Sequence, residues 1–164
     1  MKTICTFCNA VISEEPSSEG GANHGVCKSC FQRIFSEYGF NLKKFLNLFD
    51  APVFLVDGDA NVLAANILAT ASVKKPVALM KGKLCGNVLE CINACLPEGC
   101  GKTASCPHCV IRSSVTETYK LGNEITRRPA VLIRNNDGNP VKENLLVSTR
   151  KEGNIVLLRL EPEN

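Results

Sequence analysis

Ten cysteines stand out against two histidines and two methionines in a chain of 164 residues. Cys5-Thr6-Phe7-Cys8 and Cys27-Lys28-Ser29-Cys30 are two C-x2-C pairs with eighteen residues between them. Each pair can bend two thiolates toward one ion, and two pairs complete a tetrahedron. The separation lies in the range of roughly fifteen to twenty residues that zinc sites use. Cys5, Cys8, Cys27 and Cys30 are therefore expected to hold one structural zinc. Two disulfides would suit a short exported chain, but Met1-Lys2-Thr3-Ile4-Cys5 is not followed by the apolar run of a secretion signal. His24 is expected to pack beside the site, because four thiolates already close it.

A second group, Cys85, Cys91, Cys95, Cys100, Cys106 and Cys109, falls within twenty-five residues. That is too concentrated for cysteines serving only as small apolar fillers. Three chemistries compete here: four thiolates around zinc, an iron–sulfur cluster, and dithiol exchange by Cys106-Pro107-His108-Cys109. Zinc is the first expectation, since four thiolates close its site without assembly machinery, and the compact C-x2-C-x2-C run of bacterial ferredoxins is absent. Thiolates at the start of a helix are favoured by its dipole and free amides, which keeps the dithiol reading alive. Against it, Gly101-Lys102-Thr103-Ala104-Ser105 precedes the pair where a thioredoxin motif would have a buried strand.

The elements that must position these sulfurs follow from patterning. Residues 1–30 are poor in large aliphatics and include Glu14-Glu15-Pro16-Ser17-Ser18-Glu19-Gly20-Gly21, so the segment needs a source of stability other than a core. Structural zinc supplies it, at an apparent ~10–16 kcal/mol in peptides of this kind. Phe31, Ile34, Phe35 and Tyr38 recur with helical spacing, Gly39 interrupts them, and Asn41 can cap a second run carrying Leu42, Phe45, Leu46 and Phe49. Residues 31–49 thus read as a broken linking helix between a module at 1–30 and a larger domain at 50–164. That domain opens with strands at 52–57 and 61–65 around an Asp57-Gly58 hairpin turn. A helical middle follows, broken by Pro76, Gly82 and Gly86, then a helix over 109–119. Three closing strands run from 125 to 135, with Pro129 implying an edge position or a bulge, from 143 to 150 and from 155 to 160. The fold class is α+β: an antiparallel sheet of two strands, a helical middle and three strands, behind a small zinc-ribbon-like module.

Asp57-Gly58-Asp59 between two strands, the helical middle and the three closing strands resemble a PAS sensor domain over about residues 41–162. Gly86-Asn87-Val88-Leu89-Glu90-Cys91, Gly99-Cys100-Gly101 and Cys106-x-x-Cys109-x-Ile111-Arg112 are similar to a cysteine-rich subgroup of bacterial PAS domains. That resemblance implies Cys91, Cys100, Cys106 and Cys109 as the second ligand set, with Cys85 and Cys95 as extra thiols. His24-Gly25-Val26-Cys27-Lys28-Ser29-Cys30 is similar to the end of a small cysteine-rich module found in bacterial signalling proteins.

No apolar run reaches the ~18–20 residues that would cross a membrane, and a net charge of +3 gives no basis for nucleic-acid binding. Phosphate loops, Ser/His/Asp sets, paired carboxylates, a haem-attachment C-x-x-C-H and a flavin-reactive cysteine motif are not recognisable. The expectation is a cytoplasmic, non-catalytic bacterial signalling protein with two cysteine metal sites. The sequence ends four residues after the last expected strand, so the signal is expected to leave by protein contact. A protein partner or a homodimer through the helix at 31–49 would receive it, the dimer being what the PAS resemblance implies. The runner-up functions are a thiol–disulfide oxidoreductase using Cys106 and Cys109 and an iron–sulfur redox sensor.

Overall fold

The computed structural model describes residues 2–14, 22–38 and 41–164. The chain divides into two compact units, residues 1–45 and 46–164.

In the first unit, β1 (Lys2–Cys5) lies between β2 (Val11–Glu14), antiparallel to it, and β3 (Ala22–Gly25), parallel to it. Val11 and Ile12 on β2 are exposed, as is Phe7 in the turn after β1. Among the described residues of this unit, only Cys5 and Cys30 are buried. These two sulfurs alone supply almost no apolar burial to offset the entropy of ordering the described residues. Helix α1 (Lys28–Tyr38) starts three residues before the expected position, which puts Cys30 in its first turn. Of the expected apolar stripe, Phe31 is 60% exposed; the side chains of Ile34, Phe35 and Tyr38, and the break at Gly39, lie outside the described residues. Asn41 caps as expected, its Oδ1 accepting from the Lys44 amide at 3.1 Å. Helix α2 (Leu42–Leu46) then ends before Phe49. Just beyond it, Asn47 turns its Oδ1 to the Ile67 amide at 2.8 Å.

The second unit is built on five antiparallel strands: β4 (Val53–Val56), β5 (Val62–Ala65), β6 (Ile125–Asn136), β7 (Asn139–Glu152) and β8 (Ile155–Pro162). They are ordered β5-β4-β8-β7-β6. Between β5 and β6 run α3 (Ile67–Val73), α4 (Val77–Met80), α5 (Cys85–Val88) and α6 (Val110–Leu121), with single 3-10 turns at Ile92–Cys95 and Cys106–His108. Alternate strand residues form one sheet face, Phe54 and Val56, Leu145 and Val147, Val156 and Leu158. They share a core with Val73, Met80, Val88, Ile111 and Val115 from the helices. Period-two and period-3.6 patterns thus meet in one apolar layer, each large side chain stabilising the unit by roughly 1.5–3 kcal/mol when fully buried. Pro129 sits on β6, an edge strand, where its missing amide costs least.

Two local devices tie this layer together. Asn66 is 1% exposed; its Oδ1 accepts from the amides of Val53 (3.0 Å) and Ala69 (2.9 Å), and its Nδ2 donates to the carbonyls of Leu46 (3.2 Å) and Ala51 (2.8 Å). Every hydrogen-bonding position of the amide is used, so one side chain caps α3 and anchors the start of β4. The β4–β5 connection is wider than the expected two-residue turn. Asp57 Oδ1 accepts from the amides of Asp59 (3.0 Å) and Asn61 (2.9 Å), and the left-handed residue is Ala60. Gly58 serves a different purpose, since a Cβ there would fall 2.6 Å from the Tyr119 ring.

Candidate metal centres

The N-terminal cysteines come together on three elements. Cys5 ends β1, Cys8 follows in a turn, and Cys27 and Cys30 bracket the start of α1. Asn9, with φ 58°, lets that turn fold back, its amide donating to the Cys5 carbonyl at 2.8 Å. All four sulfurs lie within 4.8 Å of one another, and those of Cys8 and Cys27 are 3.7 Å apart. A Zn–S bond of ~2.3 Å in a tetrahedron requires sulfurs about 3.8 Å apart. Backbone amides support the set: Cys27 N–H donates to Cys5 Sγ and Cys30 N–H to Cys27 Sγ, each at 3.4 Å. The Cys27 amide is the main cause that lowers Cys5 to about 6, whereas Cys30 is raised to about 12, first through its hydrogen bond with Cys8 and then by burial. Sulfurs this close cannot all ionise unaided, and a bound metal cation could take the place of the protons they share. His24 is exposed and outside the group.

The second group is arranged differently. Cys85, Cys91, Cys100, Cys106 and Cys109 all line one cavity of about 50 Å³, whose remaining wall is largely apolar and includes Leu89, Ile111 and Leu132. Cys95 stays outside, exposed, its sulfur accepting from the side-chain Nδ2 of Asn135 at 3.7 Å. Among the described residues, no three of these sulfurs approach within 4.8 Å of one another.

Each sulfur is placed by a different piece of chain. Cys85 opens α5, and Gly86 behind it gives Cys100 its room, since a Cβ on Gly86 would fall 2.4 Å from Cys100 Sγ. Cys91 is fixed by an isolated bridge to Arg134 on β6, next to the Asn135 amide donating to the Glu90 carbonyl at 2.9 Å. Cys106 begins a 3-10 turn and Cys109 occupies the cap position of α6, so the helix starts at Val110, one residue after the position the sequence pattern gave it.

The environments also differ. Burial pushes Cys85 up to about 12 and also raises Cys109. Cys106 is lowered, first by the Thr103 hydroxyl 3.1 Å from its sulfur and also by the Gly101 amide, which donates at 3.2 Å. Its sulfur also borders an open outer cleft with Pro107, Ser113 and Glu117. Arg112 lies against Gly101, where a Cβ would be 2.6 Å from Nη1; Gly101 has φ +83° and is needed on both counts. Among the described residues, the buried Nη1 of Arg112 has no hydrogen-bond partner. Sequence spacing did not single out Cys85 as a cavity residue or Arg112 as its cation. The available signal was the position of Arg112 three residues after Cys109, in the first turn of the helix that Cys109 caps.

No family model and no curated protein matches this chain. Solved structures do. The LOV protein of Rhodobacter sphaeroides is 16% identical, covering 80% of this chain and 67% of its own, with a TM-score of 0.51. The PAS domain of the Cronobacter turicensis RpfR quorum-sensing receptor, solved in complex with BDSF, is 10% identical over 71% of this chain and 96% of its own, TM-score 0.50. A domain of a sensory box sensor histidine kinase/response regulator from Geobacter sulfurreducens is 9% identical over 79% and 96%, TM-score 0.50. The sheet order and helical middle of the larger unit are those of a PAS fold.

Proposed function

Starting from a PAS fold whose helices and sheet enclose a sulfur-lined cavity, we propose that this protein is a non-catalytic bacterial signalling sensor. Its larger unit responds through a metal centre held by Cys91, Cys100, Cys106 and Cys109. The convergence of five cysteines on that cavity is the observation that carries the reading. A cavity of about 50 Å³ falls far below the ~300–1,000 Å³ of pockets for organic ligands, which favours an inorganic occupant over a flavin or haem. The centre pins the 91–109 loop to β6, to α5 and to the start of α6. Its loss or thiolate oxidation frees that loop and changes the face offered to a partner.

Cys5, Cys8, Cys27 and Cys30 hold a structural zinc, and the helical segment at 31–49 supplies the contact to a protein partner or a second copy. No described helix is long and apolar enough to cross a membrane, and the protein acts in the cytoplasm, where thiols stay reduced.

One observation favours a second reading, dithiol exchange. The Cys106 sulfur is stabilised as thiolate by Thr103 and Gly101 and borders the outer cleft. Metal stoichiometry on the full chain and its single Cys→Ser variants separates the two. Loss of one metal centre in each of the Cys91, Cys100, Cys106 and Cys109 variants, with retention in Cys95→Ser, is the expected pattern. Full occupancy in the Cys106 and Cys109 variants, with rapid thiol titration in the parent, would leave dithiol exchange standing instead.

A further inference from the structure

Resting on the metal reading above, we infer that the cavity of the larger unit holds a polynuclear iron–sulfur cluster and not a single zinc ion. The two cysteine groups of this chain provide an internal comparison. The N-terminal sulfurs already approach the spacing of a mononuclear tetrahedron, with Cys8 and Cys27 at 3.7 Å. The cavity sulfurs do not: no three lie within 4.8 Å of one another, yet five face the same enclosed space. Closing four of them on one ion would pull the 91–109 loop into the volume the cavity now occupies. A cluster of several irons bridged by sulfide spreads its terminal thiolates apart and fills the space as it stands.

The wall chemistry agrees. A cavity of about 50 Å³ has room for several water molecules at ~10–15 Å³ each, but water needs polar partners, and this wall is mostly sulfur and hydrocarbon. Sulfur donors in an apolar shell suit an iron–sulfur core, whose potential depends on exposure and on the hydrogen bonds it receives. Four thiolates also outweigh the positive charge of the core they hold. The structure supplies a cation for that excess, the Arg112 guanidinium on the cavity wall with Nη1 buried and unpartnered among the described residues. Cys85 is a fifth sulfur, buried against the same space, and packs on the cluster beside its four ligands.

The test uses the full chain, purified anaerobically, its N-terminal site loaded with zinc, then given ferric iron with a thiol reductant and inorganic sulfide. Iron, acid-labile sulfide and zinc are counted per chain, and the visible spectrum is recorded. The expected result is one zinc plus more than one iron with matching sulfide and a charge-transfer spectrum. Cys91→Ser, Cys100→Ser and Cys109→Ser should lose iron and sulfide while keeping the zinc, and Cys95→Ser should keep all three. Arg112→Met should shift the cluster's reduction potential to a more negative value, because the added electron loses a neighbouring cation. A second zinc on the same cysteines, with no retained sulfide, would overturn the cluster while sparing the metal-sensor reading. Neither iron nor a second zinc would overturn both.

Discussion

Gly86→Ala isolates the packing of Cys100 from ordinary backbone effects. Gly86 sits inside α5 and is not among the residues with positive φ, so alanine is conformationally acceptable and should by itself stabilise the helix by about 0.5–1 kcal/mol. The new methyl, however, lands 2.4 Å from Cys100 Sγ, 3.0 Å from Cys100 Cβ and 3.5 Å from Ala94 Cβ. Cys100 must leave its place, and such overpacking costs about 1–3 kcal/mol. The net expectation is a loss of about 1 kcal/mol, or a fall of roughly 2–6 °C in Tm for a unit of this size. Urea unfolding followed by far-ultraviolet circular dichroism measures the stability, and metal analysis on the same samples should show reduced occupancy of the second centre. A double-mutant cycle sharpens the result: Cys100→Ala should cost less in the Gly86→Ala background than in the parent. An alanine variant at least as stable as the parent, with full metal content and additive effects, would refute the claim that Cys100 is lodged against Gly86.

Asn66→Ala should destabilise the larger unit by about 3–5 kcal/mol in chemical denaturation, because it removes a helix cap and strands the Val53 and Ala69 amides and the Ala51 carbonyl, while the Leu46 carbonyl keeps the Phe49 amide. Cys27→Ser should abolish zinc at the N-terminal site and open residues 9–26 to protease, with thermal unfolding of the larger unit unchanged. In the parent, a competitive chelator titration should find zinc affinity falling as pH is lowered, more steeply below about 6, where Cys5 also carries a proton that the metal must displace. The Arg128 hydrogen bond, 2.9 Å from Glu117, lowers that carboxyl below its ordinary value. Its contribution is therefore present above the ordinary carboxylate value and lost as pH falls through the depressed one, so the Tm gap to Glu117→Gln should vanish in acid.

What could be read from the sequence followed local rules. The N-terminal centre was legible because two C-x2-C pairs carry their own geometry, and the strands because Val53–Val56 and Ile155–Leu160 are β-rich runs bounded by turn residues. Pro129 announced an edge or bulged strand by chemistry alone. The departures come from contacts between distant residues. Gly58 looked like a turn glycine, but its demand comes from Tyr119, which no local pattern connects to it. α2 ends at Leu46, and the next residue, Asn47, accepts from the amide of the distant Ile67. Cys85 looked surplus beside Cys91; only the packing of α5 under the sheet turns it into the cavity. Arg112 entered only as the last residue of a cysteine motif; its place against Gly101 comes from folding.

The central position of β8 has a consequence for biosynthesis. The pairs Val53↔Arg159 and Leu145↔Pro162 place the final strand between a hairpin made much earlier, β4–β5, and the one that directly precedes it, β6–β7. Neither hairpin touches the other in the finished sheet except through that strand. As the chain leaves the ribosome, each can form locally, but the sheet cannot join until residues 155–162 have emerged, and such non-local pairings are slow to close. The N-terminal cysteines meet no such delay and can capture their ion while the rest is still being translated. Under the proposed metal-centre reading, the larger unit would fill its cavity only after synthesis of β8, with its sulfurs open to oxidant in the interval.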